Sequence, residues 1–426
     1  MKFKSCESSG DFMTNLSKDV TTKICEDVSI KSKSDIVKIK NKFIDEYRRI
    51  DEDSQFPSIL SEYVKNGRSS KEICKAMIDF LYVNNDLCNN DLIWLIDNID
   101  EESREYLFSK SGKTRDRYYG RNVYLRGLIE FTNYCKRECR YCGINAFNKK
   151  ANRYRLTMKE IEESCDIGRE LGYSTFVLQG GEDPYFNDDR MIEIVSMIKE
   201  KCPNSAVTLS IGERSYESYM KLKEVGVDRF LLRHETTNEN LYKWLHPLSE
   251  FESRKQCLLN LKKLGFQTGA GFMVGLPWYS TVDYVRDLRF IKKLQPEMVG
   301  IGPFITHEDT DMHHYKSGDL DTTILMLSLV RLLLPKVLLP ATTALATIDE
   351  NGRKKGLDVG CNVIMPNLSP KTHRKDYSLY KNKKSSGSES AQALDMIKRE
   401  IEGYGYICNM SRGDSKLTGS YTIKYK

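Results

Sequence analysis

Three cysteines, Cys135, Cys139 and Cys142, stand within eight residues, directly after the apolar run Val123–Phe131. Thiolates are soft ligands suited to iron–sulfur clusters. Three of them can hold three irons of a four-iron cluster, leaving the fourth iron open to another ligand. The same trio could belong to a zinc site. A closed zinc site, however, calls for a second ligand pair, and neither Cys-x-x-Cys nor His-x-x-x-His follows.

Other residues with chemical potential follow further apolar runs. Gln179-Gly180-Gly181-Glu182-Asp183 is one such stretch, and its glycines let a ligand approach the backbone closely, although an ordinary turn would look the same. Glu235 offers a carboxylate that could accept from both hydroxyls of a ribose. Arg254 has the forked geometry that suits a carboxylate, its plain alternative being a solvated helix residue. Arg233 needs an acidic partner or an anionic ligand if buried; with Thr208, Thr342 and Thr343 it could line an anion or polar-ligand site. His234 and His307 could be ligands or proton donors, though a lone histidine is more often hydrogen-bonded scaffold.

These residues need elements to hold them. Eight short runs are continuously apolar, as strands buried on both faces should be: Val123–Phe131, Thr175–Gln179, Ala206–Ile211, Arg229–Arg233, Thr268–Val274, Met298–Gly302, Lys336–Ala341 and Cys361–Met365. Helical periodicity fills the gaps at Thr157–Leu171, Asp189–Lys201, Ser215–Val225, Glu252–Leu264, Tyr284–Leu294 and Thr322–Leu334, with a shorter stretch near Thr347–Lys355. Alternation of this kind predicts a parallel sheet, and eight units predict a closed (β/α)8 TIM barrel, with an open doubly wound sheet as the alternative. Barrel enzymes work at the carboxyl ends of their strands, and here every strand ends in polar residues. Before the barrel, a helical region is expected over 35–120, with helices at Asp35–Ile50, from Ser69-Ser70 through Val83, at Asp91–Ile99 and at Glu101–Lys110. The expected division is a disordered extension over 1–34, the helical region, a barrel over 121–373, and a C-terminal helix and polar tail over 374–426.

Composition excludes some classes. The 426 residues carry a net charge of only +6, spread along the chain, which argues against a nucleic-acid partner. No run of eighteen apolar residues suggests a membrane span. Cys74, Cys88, Cys165, Cys202, Cys257 and Cys361 fall in apolar or helical patterns and read as reduced core thiols. A reducing compartment fits, either cytoplasm or an organellar matrix should the first residues act as a presequence.

Taken together, the cysteine spacing and the GGE-type stretch resemble the radical S-adenosylmethionine (SAM) enzymes. Longer runs resemble one family among them, HydE, the maturase of the iron-only hydrogenase. They are Val123–Cys135, Thr175–Tyr185, Leu231–Thr236, Met298–Phe304, Leu339–Leu345, Val363–Pro370 and Ser411–Asp414. The resemblance covers roughly residues 87 to 414. It implies one [4Fe-4S] cluster on the three cysteines, SAM on its open iron, and Tyr141 near the adenine. It implies an anion site on Thr208, Arg233, Thr342 and Thr343, with Met365 and Tyr377 facing the same cavity. It also implies a small organometallic substrate bearing cysteine, carbon monoxide and cyanide, attacked at sulfur, together with sister maturases and a reducing electron donor. Some members carry a second cluster near the C-terminal end, but Tyr380–Ser390 here has no cysteine. Biotin synthase and methylornithine synthase are related alternatives, and the Tyr-Asn-His-Asn motif of the former is missing. A non-catalytic iron–sulfur scaffold is the alternative outside enzymes.

Overall fold

A computed structural model describes residues 56–384 and 390–417 of the chain. The expected helix Asp35–Ile50, the first 34 residues and the last nine lie outside the described residues.

The chain enters through four helices: α1 (Ile59–Lys65), α2 (Ser70–Asn84), α3 (Asn89–Asn98) and α4 (Glu101–Tyr119). Ser69 caps α2 through a reciprocal bond with Glu72, the capping box visible in the sequence. Helix α4 runs past its expected end at Lys110 to Tyr119, and it docks on the barrel. Its Arg115 donates to Leu357 O and Cys361 O, and its Tyr119 donates to Lys336 O. One apolar core runs from these helices into the barrel.

The barrel opens with β1 (Asn122–Leu125) and β2 (Gly127–Thr132), followed by α5 (Met158–Glu170), β3 (Thr175–Gly180), α6 (Asp188–Lys201), β4 (Ala206–Ser210), α7 (Tyr216–Glu224) and β5 (Arg229–Leu231). A helix absent from the sequence expectations, α8 (Glu239–Leu245), precedes α9 (Phe251–Lys263). Then come β6 (Gln267–Ala270), β7 (Met273–Val274), α10 (Thr281–Leu294), β8 (Met298–Val299), β9 (Gly302–Pro303) and α11 (Leu320–Leu333). The expected short helix near 347–355 is two helices, α12 (Thr343–Ile348) and α13 (Gly352–Asp358). The chain ends with β10 (Val363–Ile364), α14 (Leu394–Gly403) and β11 (Ile407–Asn409).

Strands β2-β3-β4-β5-β6-β8 form one parallel sheet. The ring closes through single bridges, Met298 to Leu338, Pro340 to Val363 and Leu128 to Asn367, together with the β1–β10 pairing. The barrel therefore has eight positions, but the expected seventh strand is reduced to bridges because Pro335 and Pro340 lack ladder donors. The expected first strand is broken at Arg126. Below the break β1 pairs with β10 and β11, and above it β2 pairs with β3. The fifth is broken at Gly271, whose backbone (φ +155°) passes so near Gly300 that a Cβ would lie 1.9 Å from its carbonyl oxygen.

The C-terminal segment after β11 plugs the amino-terminal end of the barrel. Arg412 binds Asp228, Asp414 and the carbonyls of Asn204 and Ser205, while Asp414 receives Arg229 and Gln267. The expectation of a plain polar tail is thus replaced by a floor built from Arg412-Gly413-Asp414.

Candidate functional site

The three cysteines sit in the loop between β2 and α5, above the carboxyl ends of the strands. Arg153 holds the loop in shape by donating to the carbonyls of Asn133, Ile144, Asn145 and Asn148. The second strand's loop packs directly against it. A side chain at Gly181 would lie 2.2 Å from Tyr134 O and 2.7 Å from Cys135 Cβ, so glycine at this position is required by the cysteine loop itself. Lys136 N donates to Glu182 O at 2.9 Å.

All three thiols are half-buried. Burial pushes Cys142 up to about 12, with Cys135 adding to the shift. Cys139 is raised by burial and then by Cys142 and Cys135, and Cys135 itself is raised chiefly by burial. The three sulfurs thus feel one another, and bound metal would take the place of their protons. Among the described residues no three His, Cys, Asp or Glu side chains converge on a single ion. A cluster asks something different, because each thiolate binds its own iron. Three soft donors on one loop therefore fit a cluster better than a lone metal ion.

Around this loop lies a ring of paired charges. Arg137, between the first two cysteines, donates to Glu182 at 2.6 Å and to Glu213 at 3.1 Å. Arg254 donates to Glu213 at 2.7 Å and to Arg233 O at 3.0 Å. Burial raises the Glu213 carboxyl, but Arg254 and Arg137 outweigh it and hold the group below its ordinary value. Glu182 and Arg254, both expected to touch a cofactor, thus meet through Arg137 and Glu213. Asp183 braces the turn beside them. It accepts from Thr132, from both arms of Arg155 and from Tyr185 N, which fixes the turn after β3. Two open clefts of about 460 and 390 Å³ adjoin this ring, and neither is lined by Thr208, Arg233 or Thr342.

Tyr141 stacks into a small apolar cluster with Leu241, Leu245 and Met273. Its hydroxyl lies 3.0 Å from His246 Nε2, and His246 Nδ1 lies 3.0 Å from Tyr242 O. A carbonyl can only accept, and burial pushes His246 down to about 3. The imidazole is therefore neutral, protonated at Nδ1, and Tyr141 donates to Nε2. The unanticipated helix α8 thus orients the aromatic residue beside Cys142, and Arg140 N and Nε clamp the same helix end through Leu245 O and Trp244 O.

Below the loop the barrel interior is polar and incompletely paired. Thr208 is 2% exposed, and its hydroxyl has no hydrogen-bond partner. Thr342 occupies the N-cap of α12 with extended backbone, where a threonine ordinarily accepts from the helix. It makes no cap bond, and its hydroxyl is likewise unpartnered. Arg233 donates to Phe272 O at 2.9 Å and lies 3.0 Å from Glu235 Oε2, leaving Nε without a partner. Glu235 holds a left-handed backbone (φ +65°), a strained state for glutamate. It is pinned by Glu235 N to Gly271 O and Met273 N to Glu235 O. Gln179 donates to the buried Tyr377 hydroxyl at 3.4 Å. Gly180 abuts Thr132 and Phe131, Thr343 opens α12, and Met365 packs beside Met298, Leu338 and Val363. His234 is fully buried between Gly271 N and Asp287, and His307 lies 3.2 Å from Ser378 Oγ. Both histidines have scaffold partners.

A strap covering 376–383 crosses the mouth. Gly143 N donates to Leu379 O, Lys381 N to Thr306 O and Asn133 Nδ2 to Asp376 O. Sequence reasoning did not single out Glu130, Arg137, Arg153, His246 or Lys383. Glu130 had a signal, a charge inside an apolar strand run, and so did Arg137, a charge between two cysteines.

A model of the radical SAM superfamily matches residues 129–291. The chain is 45% identical over 306 residues to the [FeFe] hydrogenase maturase subunit HydE of Thermotoga maritima, covering 72% of this chain and 87% of that one. It is 32% identical over 286 residues to 3-methylornithine synthase of Methanosarcina barkeri, covering 67% and 80%. The solved structure of methylornithine synthase (PylB) superposes with a TM-score of 0.70 at 28% identity, over 78% of this chain and 97% of that one. HydG, a maturase of the [FeFe]-hydrogenase, shares the fold, with a TM-score of 0.70 at 18% identity over 83% and 79%.

Proposed function

The chain belongs to the HydE family of radical SAM enzymes, and on that premise we propose that it acts at the sulfur of a small iron–cysteine complex bearing carbon monoxide and cyanide, during assembly of the [FeFe]-hydrogenase di-iron subcluster. The family implies a [4Fe-4S] cluster and SAM, and Cys135, Cys139 and Cys142 would hold the former. When bound, these cofactors supply a 5′-deoxyadenosyl radical. We assign one cluster per chain. Cys74, Cys88, Cys165, Cys257 and Cys361 are buried as core thiols, and Tyr380–Ser390 offers no ligand.

Each remaining role follows from a position. Tyr141, fixed by His246, would face the adenine. Gln179, Gly180, Gly181, Glu182 and Asp183 would lie against SAM, their backbone carbonyls open to its amino group. Arg254 would serve the SAM carboxylate, and Glu235 the ribose. Arg233, Thr208, Thr342 and Thr343 would bind the substrate's anionic side, with Met365 and Tyr377 completing the wall. Burial and the nearby Glu130 carboxylate keep the Tyr377 phenol protonated, so it can serve as a donor. Sister maturases and a low-potential electron donor complete the setting. Among the described residues no helix is long and apolar enough to cross a membrane, and we assign the protein to the cytoplasm.

The observation that carries this reading is the pair of unpartnered buried hydroxyls, Thr208 and Thr342, in a barrel whose Arg233 guanidinium also keeps a spare donor. Buried polar atoms without partners are costly unless a ligand or water completes them. The test is anaerobic reconstitution with iron and sulfide, reduction, and assay of 5′-deoxyadenosine with and without S-methyl-L-cysteine or an iron–cysteine complex. Stimulated cleavage supports the reading; unstimulated cleavage removes the substrate assignment. The likeness to 3-methylornithine synthase supports a second reading, an amino-acid carbon skeleton as substrate. Stimulation by lysine instead would favour it.

A further inference from the structure

Glu130 is a charged residue in the middle of β2, and it is fully buried. It stands in register with Gln179 of β3, whose amide reaches Tyr377 inside the mouth. Side chains in register on neighbouring strands share a face, so Glu130 points into the same interior. Two groups meet its carboxylate. Asn367 Nδ2, from the adjoining strand end, donates to Oε2 at 2.7 Å. Lys383 Nζ, from the strap, donates to Oε1 at 2.6 Å and sits 5.0 Å from the Tyr377 ring centroid.

The strap does not need this lysine to dock, since backbone bonds to Gly143 and Thr306 already fasten it. A buried ion pair is also a poor stabilising device once desolvation is counted. What Lys383 supplies is an alkylammonium against a carboxylate, over an aromatic face, inside the barrel. Arg233 provides the opposite charge in the same space, and Tyr380 lies within electrostatic reach of both Glu130 and Arg233.

We propose that Glu130 is the amine-binding pole of the barrel cavity and that Lys383 is an internal surrogate, its ammonium standing where the amino group of an amino-acid-type ligand binds. The inference rests on the substrate reading above for the ligand class only. A ligand amine displaces Lys383 from Glu130 and keeps both Asn367 and the Tyr377 ring as neighbours, with cation–π attraction added when the amine is charged. The lysine is then a competitor, and its presence lowers the apparent affinity for the ligand. A purely structural latch would have the opposite effect on removal.

Lys383→Met separates the two. Methylammonium is the first probe. It should raise the melting temperature of K383M in a concentration-dependent way, and should fail to do so for wild type, where Lys383 fills the site, and for the double variant E130Q/K383M, where the carboxylate is gone. Calorimetry provides the second arm. S-methyl-L-cysteine should bind K383M about tenfold more tightly than wild type, while 3-(methylthio)propanoate, which lacks the amine, should change by less than about twofold. Weakening of both compounds together, or no response of K383M to methylammonium, overturns the proposal. The double variant has no buried charge to misfold around. Equal binding of the two sulfur compounds there supports the proposal, and a retained preference for the amine overturns it. Rescue by methylammonium with no preference for S-methyl-L-cysteine upholds the amine pole and instead removes the sulfur amino acid as the ligand class.

Discussion

Arg229 and Arg233 lie four residues apart at the same barrel position, and both point inward. At the floor, every guanidinium nitrogen of Arg229 has a partner: Gln267, Thr175, Arg412 O and Asp414. At the mouth, Arg233 has Phe272 O and Glu235, and its Nε has none. The floor is sealed by chain supplied from the C-terminal segment. The barrel interior also holds unpartnered hydroxyls at Thr208 and Thr342. Within one barrel, the same residue type is used once to close a structure and once to leave a binding demand unmet. The difference lies in whether the chain itself returns to satisfy the arginine.

The strongest test of this contrast is at the mouth. Replacing Cys135, Cys139 or Cys142 with Ser should abolish both bound iron and 5′-deoxyadenosine formation, with the far-ultraviolet circular dichroism unchanged. Iron analysis and product chromatography would show it, and cleavage retained by any variant would break the comparison. At the floor, Arg229→Met should cost about 3 kcal/mol of stability, toward the low end for a broken buried pair because Asp414 is 37% exposed. Chemical denaturation would measure it, and a loss below about 1 kcal/mol would mean the floor is not sealed by this pair.

Acid should separate the two ends in order. His246 titrates at about 3 in the folded chain against an ordinary 6.5. Unfolded chains therefore bind its proton first, and stability from this site is full above pH 6.5 and lost as pH falls toward 3. Burial raises the Asp414 carboxyl, but Gln267, Arg229 and Arg412 outweigh it and bring the group to about 2, so its contribution begins to fade only below 3.8. Melting temperature against pH should lose its slope between 6.5 and 3.8 in His246→Asn, and its steeper fall below 3.8 in Asp414→Asn. The reverse order would contradict the assignment of the two groups. The smallest expected effect is that of Thr208→Val. Removing a buried hydroxyl without a partner should leave stability unchanged or raise it by about 1 kcal/mol, while substrate-stimulated SAM cleavage falls. A loss of stability would show that the hydroxyl is satisfied after all.

The sequence by itself determined the barrel class, the cysteine trio and the helix caps, because each rests on local chemistry. Continuously apolar runs between amphipathic stretches call for a parallel sheet covered by helices, eight units of which favour closure, and Ser69 with Glu72 or Thr157 with Glu160 need no distant partner. Hydrophobic periodicity also located β3 and β4 nearly to the residue. Tertiary structure decided what depends on who arrives from elsewhere. Thr342 stands at the N-cap of α12, a helix start that the sequence reading did not place, and its hydroxyl makes no cap bond. Asp183 reads as a ligand, and only the fold shows that it braces the turn after β3, because Arg155 lies alongside it. Glu130 and Lys383 are 253 residues apart and meet only because the strap crosses the mouth. Arg412-Gly413-Asp414 looks like a polar tail until Arg126, Arg229 and Gln267 are seen to need it. A short polar segment carries no periodic signal, so its role appears only when the buried charges that it satisfies are brought together by the closed barrel.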